Sequence, residues 1–215
     1  MTTVFSGFPE AGIQYLFDLD ANNNREWFTA NKAALEHQLL TPARVLCQEL
    51  ESYLRTLTGR TYASKLYRMH RDLRFSADKT PYNTHLHISF LGPEGACAWH
   101  LGIDTKKVSV GAGVFEFTAP QLQAFRSLVT QSGAAISDGL VKLVSEGARL
   151  EEPELKRVPN GYPADQPFSD LFRRKGLTAW IGMGAPSVAT TQDFGRRCER
   201  AFRQLKPISD IVARL

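Results

Sequence analysis

The chain reads as a single α+β domain in which helices are followed by a mostly antiparallel meander sheet and then by more helices. Two changes of hydrophobic period carry this reading, from near 3.6 residues to 2 at about residue 62 and back again after Thr118. The third observation is a lack: across 215 residues no repeat, low-complexity tract or linker separates two units. The expected organisation is one domain over 1–215, helical over 9–57, sheet over 62–116 and helix-rich over 118–215. With 43% hydrophobic residues, a chain of this length can fill one sizeable core.

Taken in order, Pro9 to Ala21 spaces Ile13, Leu16, Phe17 and Leu19 as a helix does and stops at Asn22-Asn23-Asn24, whose short amides suit caps and turns. A second helix from Arg25 places Trp27, Phe28, Leu35 and Leu39 on one stripe. Thr41-Pro42 then reads as N-cap and first helical position of a third helix, which runs to about Thr56 and buries Val45, Leu46, Leu50 and Leu54. From Tyr67 to Phe75 an extended strand would put Tyr67, Met69, Leu73 and Phe75 on one face and Arg68, His70, Asp72 and Arg74 on the other. Arg71 alone falls on the apolar side, which predicts either a carboxylate partner from the first helices or a strand that ends before it. Ser76 to Pro81 is a loop, and Tyr82 to Phe90 alternates again, with His85 and His87 on its polar face.

Cys97 to Asp104 and Val108 to Phe115 form a hairpin through Thr105-Lys106-Lys107. Gly102, Gly111 and Gly113 fall at polar-face positions of these strands, where a glycine signals close approach of a ligand or backbone, or a bulge. Thr118 with Gln121 makes a capping box for a helix burying Leu122, Phe125, Leu128 and Val129, and a further helix spans Ala135 to Ser145. Beyond it are expected a short strand at Leu155–Val158, a helix capped by Asp165 and ending near Gly176, a strand over Thr178–Ile181, and a loop at Gly182-Met183-Gly184-Ala185-Pro186. A helix over Thr191–Leu205 follows, with a tail after Pro207. That glycine-rich loop is not a phosphate cradle, because no Gly-Lys-Ser/Thr follows it.

Charge is concentrated in one stretch. Lys65 to His87 holds Lys65, Arg68, Arg71, Arg74 and Lys79 against Asp72 and Asp78, a net +3 within a chain of net +4. The overall excess, 26 Lys and Arg against 22 Asp and Glu, permits acidic or phosphorylated ligands and is too small to point to nucleic acid. Three cysteines without ligand spacing, Cys47, Cys97 and Cys198, read as free thiols of a reducing compartment, so a cytoplasmic location is expected. The N-terminus has no signal-peptide pattern, and no window approaches the roughly 20 apolar residues of a spanning helix. A soluble, unprocessed protein with no membrane partner is the expectation.

Asn22 to Phe28, Tyr67-Arg68, the string from Arg71 through Ser76 with Asp78 to Tyr82 (RDxRFSxDKTPY), and Leu155 to Tyr162 together resemble the bacterial and fungal family known as Domain of Unknown Function 2461. The likeness spans most of the chain. It implies a single α+β domain and carries no activity with it. The family pattern often has a small residue at the position of His87, which implies no site role there.

The same basic window supplies the candidate chemistry. Arg68, Arg71, Arg74 and Lys79 are suited to hold a phosphate or carboxylate, because the guanidinium fork grips oxyanions in a bidentate manner. His70 and Asp72, two apart on an extended strand, would point the same way as an acid/base pair, since a carboxylate can orient an imidazole that titrates near neutrality. Asp78, Tyr82 and His85 complete the expected ligand-binding set. The competing reading is a scaffold or interaction module in which Asp72 and Asp78 tie the arginines and Lys79 into a loop-fixing network. His85-x-His87 with His70 or Asp72 could face a metal, but the nearby arginines oppose a cation, so no metal and no cofactor are assigned. No GxSxG motif supports a serine nucleophile. Arg196, Arg200 and Arg203 read as a solvated helix face.

Overall fold

The alternating runs do form the sheet. In the computed structural model, which describes residues 4–74 and 76–215, strands β1 (Ala63–Leu66), β2 (Leu86–Leu91), β3 (Ala98–Ile103), β4 (Val108–Val114), β5 (Ala148–Leu150) and β6 (Leu177–Gly184) assemble in the order β1-β2-β3-β4-β6-β5. Every neighbouring pair is antiparallel. Leu86, Ile88 and Phe90 lie opposite Ile103, Leu101 and Trp99, which in turn face Val108, Val110 and Ala112, so period-2 alternation delivers one fully buried apolar face. Against it pack α4 (Thr41–Thr58), α6 (Phe194–Gln204) and α7 (Lys206–Val212). Phe202 of α6 sets its ring edge on Phe90 at 5.9 Å and on Trp99 at 5.3 Å.

The opposite face carries Lys65, His87, Ser89, His100, Gly111 and Trp180. His100 stacks on Trp180 at 5.7 Å, and the close approach signalled by Gly111 is that indole: a Cβ on Gly111 would sit 2.5 Å from the Trp180 ring. Cys47, Cys97 and Cys198 are all free and buried.

At the N-terminus, α1 (Glu10–Ala21) and α2 (Arg25–Ala30) are separated by the expected asparagine turn, where the Asn24 side chain accepts from the Trp27 N–H at 2.9 Å. Thr41 is not an N-cap. A one-turn helix α3 (Lys32–Ala34) runs into a π-helical segment, Leu35–Leu40, and from there directly into α4, with Thr41 itself helical at φ −64° and ψ −48°. Pro42 is the physical reason for the irregularity, because it offers no N–H to the carbonyl of Gln38 four residues earlier and its ring crowds that oxygen. The displaced Gln38 carbonyl lies against α1 at Gly12, where a Cβ would come within 2.1 Å of it.

Other expectations shift. The strand expected over Tyr67–Phe75 does not form among the described residues: β1 ends at Leu66, and β2 begins at Leu86 instead of Tyr82. Residues between them make one isolated bridge, His70 to Tyr82. Phe75 lies outside the described residues. The two helices expected after Thr118 are one element, α5 (Ala119–Ser145), bent at the non-helical Ser132 and capped as anticipated by Thr118 and Gln121. No strand forms over Leu155–Val158; the sheet edge is β5, which is too short to show a period. The helix expected after Asp165 is a short 3-10 helix, Ser169–Arg173, β6 runs on to Gly184 within the expected glycine-rich loop, and the tail after Pro207 is helical as part of α7. Among the described residues no helix is long and apolar enough to cross a membrane.

Candidate functional site

The basic stretch forms an excursion between β1 and β2 that is pinned at its base. Arg71 N–H donates to the Pro81 carbonyl at 3.0 Å and Asn83 N–H to the Met69 carbonyl at 2.6 Å. The side chain of Asn23, from the α1–α2 turn, donates to the Tyr82 carbonyl at 2.9 Å and accepts the Tyr82 N–H at 3.1 Å, doing for this segment what a neighbouring strand would do. Met69 and Tyr82 are buried, and the Tyr82 ring stacks on Phe28 of α2 at 3.9 Å. His70 is exposed and sets its ring against the edges of both, 5.2 Å from Phe28 and 5.0 Å from Tyr82.

Beyond this base most of the charges serve one another. Arg71, with 23% of its side chain accessible, pairs with Asp78 at 2.5 Å and also donates to the Thr80 carbonyl and hydroxyl and to Ser76. Of the two outcomes open for Arg71, the strand ends before it and the partner lies within the loop. The backbone N–H of Thr80, with the Arg71 guanidinium and the Thr80 hydroxyl, holds the Asp78 carboxyl down at about 2. Arg74 grips Asp72 through Nε and Nη2, the latter at 2.6 Å, which lowers the Asp72 carboxyl in turn. Lys79 donates to the Leu73 carbonyl at 3.1 Å.

The expected site residues therefore divide. Arg68 and His70 line a cleft of about 910 Å³ with Lys32, the π-helical Leu35, Glu36, His37 and Leu40, and Arg44 of α4. Arg71, Asp78, Tyr82 and His85 line a smaller, polar cleft of about 410 Å³ with Asp20 and Asn23. Asp72, Arg74 and Lys79 line neither, and His70 and Asp72 share no hydrogen bond among the described residues. The four cations do not converge on one concavity. Burial lowers the imidazoles of His85 and His87, and His87 stacks on Tyr67 at 4.6 Å. Among the described residues no group of three His, Cys, Asp or Glu side chains is placed to hold a metal ion.

The larger cleft has an apolar floor of Phe28, Leu35 and Met69, all buried, beneath a rim of Lys32, Arg44 and Arg68. Glu36 is the acidic member and is ion-paired to Arg44. Lys32 and Arg68 form no ion pair among the described residues. Lys32, His37 and Arg44 come from helices roughly 20 to 35 residues upstream of the basic window, and only Pro42, close behind an apolar helical run, hinted that this helix was irregular. A family model described as "Conserved hypothetical protein (DUF2461)" matches residues 11–210. The chain belongs to the DUF2461 family. The match takes in both walls of this cleft and the whole excursion of the DUF2461 chain. No curated protein and no solved structure matches it.

Proposed function

We propose that the chain binds a small anionic molecule, a phosphate or carboxylate carrying an apolar body, in the cleft between the π-helical segment and Tyr67–His70. The observation that supports this most is the pairing of a buried apolar floor with Lys32 and Arg68, two rim cations without carboxylate partners among the described residues. Such a site desolvates the apolar body and leaves the oxyanion to charge-assisted hydrogen bonds. His70, held by the Tyr82 bridge and by Phe28, serves as a further donor at the rim. π-Helical turns recur at functional sites, and this one supplies a wall of the cleft. Asp72 is engaged by Arg74, so the reading covers binding and assigns no reaction.

A scaffold role is favoured for the remainder of the basic stretch by the partners of Arg71, Arg74 and Lys79 within their own loop. The two roles separate in a thermal-shift titration with phenyl phosphate and benzoate. Arg68→Ala and Lys32→Ala leave the ligand-free midpoint in place and abolish the ligand-dependent rise. Arg71→Ala lowers the ligand-free midpoint, by about 1 kcal/mol of stability, and keeps the rise. A rise that survives Arg68→Ala, or no rise in the parent protein, rejects the binding site.

A further inference from the structure

At the opposite edge of the sheet from that cleft, a second concavity of about 260 Å³ lies between α5, β5 and the 3-10 turn Ser169–Arg173. Arg174 lines it and is 8% exposed. Its guanidinium makes one hydrogen bond, from Nη1 to the Glu151 carbonyl at 2.6 Å. Nε is buried and has no partner, and Nη2 has none among the described residues.

The acidic groups nearest this charge are committed elsewhere or stand off. Asp170 is paired with Arg173 at 2.7 Å, Glu154 accepts the Lys175 N–H at 2.6 Å, and Glu152 is exposed, so no carboxylate lies within ion-pair distance of Arg174 among the described residues. Burial lowers this arginine below its ordinary range, yet a guanidinium does not give up its proton in a protein. An unpaired charge held in low dielectric is costly, and with Nε sealed by its surroundings the nitrogen left to meet an incoming carboxylate is Nη2. The rest of the lining is mostly apolar, with Leu140 at its base, Val141 and Val144 of α5 exposed along one wall and Phe168 on the other; its polar members are Ser137 and Asp170, the latter held by Arg173.

We infer that this concavity is a second ligand site, for a short-chain aliphatic monocarboxylic acid whose carboxylate meets Nη2 of Arg174 and whose chain lies on Val141, Val144 and Phe168. The volume is just below that of pockets for drug-sized molecules, which selects a small acid. The site is independent of the cleft at Arg68.

The test is calorimetric and thermal-shift titration of the full chain with hexanoate, using hexanamide as the uncharged control. Hexanoate raises the melting midpoint and hexanamide does not. Val141→Glu changes a residue that is 65% exposed, keeps the ligand-free midpoint, and weakens hexanoate at least about tenfold by placing a like charge at the mouth. Arg174→Met, which removes a buried charge, abolishes the hexanoate response, whereas Arg68→Ala retains it. An equal response to hexanamide, full affinity in Val141→Glu, or loss of the response in Arg68→Ala overturns the assignment. In the last case the acid occupies the other cleft.

Discussion

His100 shows how a single side chain can tie stability to pH. Its Nδ1 shares a 2.8 Å hydrogen bond with the Ser89 hydroxyl, both residues are buried, and Trp180 and Phe115 pack on the ring. Burial, with a smaller contribution from His87, pulls its pKa from 6.5 to about 4. The unfolded chain then takes up the proton more readily than the native one, so this contribution is complete above pH 6.5 and is lost as the pH falls towards 4, by up to ~3 kcal/mol. His85 and His87 are lowered in the same direction and steepen the slope. Denaturant titrations at pH 7 and 4.5 will show a smaller difference for His100→Asn, whose amide can still bond Ser89, than for the parent chain; equal differences would exclude His100 as the main source. Legibility at this scale was partial. Alternation put Arg68 and His70 opposite Tyr67 and Met69, yet all four line one cleft, because the strand stops at Leu66; nor could it reveal that Arg71 would close a loop with Asp78 and Thr80.

Among the elements, the crossing of α1 over the π-helical segment is a close helix contact with a nameable cause. Pro42 displaces the Gln38 carbonyl, and Gly12 leaves room for it. In Gly12→Ala the new Cβ would meet the backbone of Gln38 and Leu39, so the variant is expected to lose about 1–3 kcal/mol and several degrees of melting midpoint. Gly139, in the interior of α5 with nothing within 4 Å of its Cβ position, gives the opposite sign: Gly139→Ala gains about 0.5–1 kcal/mol. Differential scanning calorimetry of the pair checks both, and a neutral Gly12→Ala would show that the helices separate freely. Helix periodicity and the Thr118–Gln121 box were readable because they are local. The failures at Leu155–Val158 and Asp165 share another cause: the three-residue edge strand and the five-residue 3-10 helix each contain fewer than two periods of their own pattern.

For the whole molecule, the α+β class followed from two changes of period, but the order β4-β6-β5 did not. Strand β6 reaches β4 over more than sixty residues of intervening chain, and no local pattern encodes a pairing at that range. The three thiols are a property of the complete core. Burial raises Cys47 to about 11 and Cys97 to about 12, and Cys198 higher still. An aromatic disulfide reagent should therefore release almost nothing from the native protein at pH 8 and three equivalents in denaturant, since thiolate and access are both withheld until unfolding. Prompt release from the native protein would show that a thiol is reachable. A core of this kind is a silent chemical background: one cysteine introduced on Val141, or two placed at opposite sheet edges, would be the sole points of dye attachment, turning the native chain into a fluorescence ruler without removing any of its own sulfur.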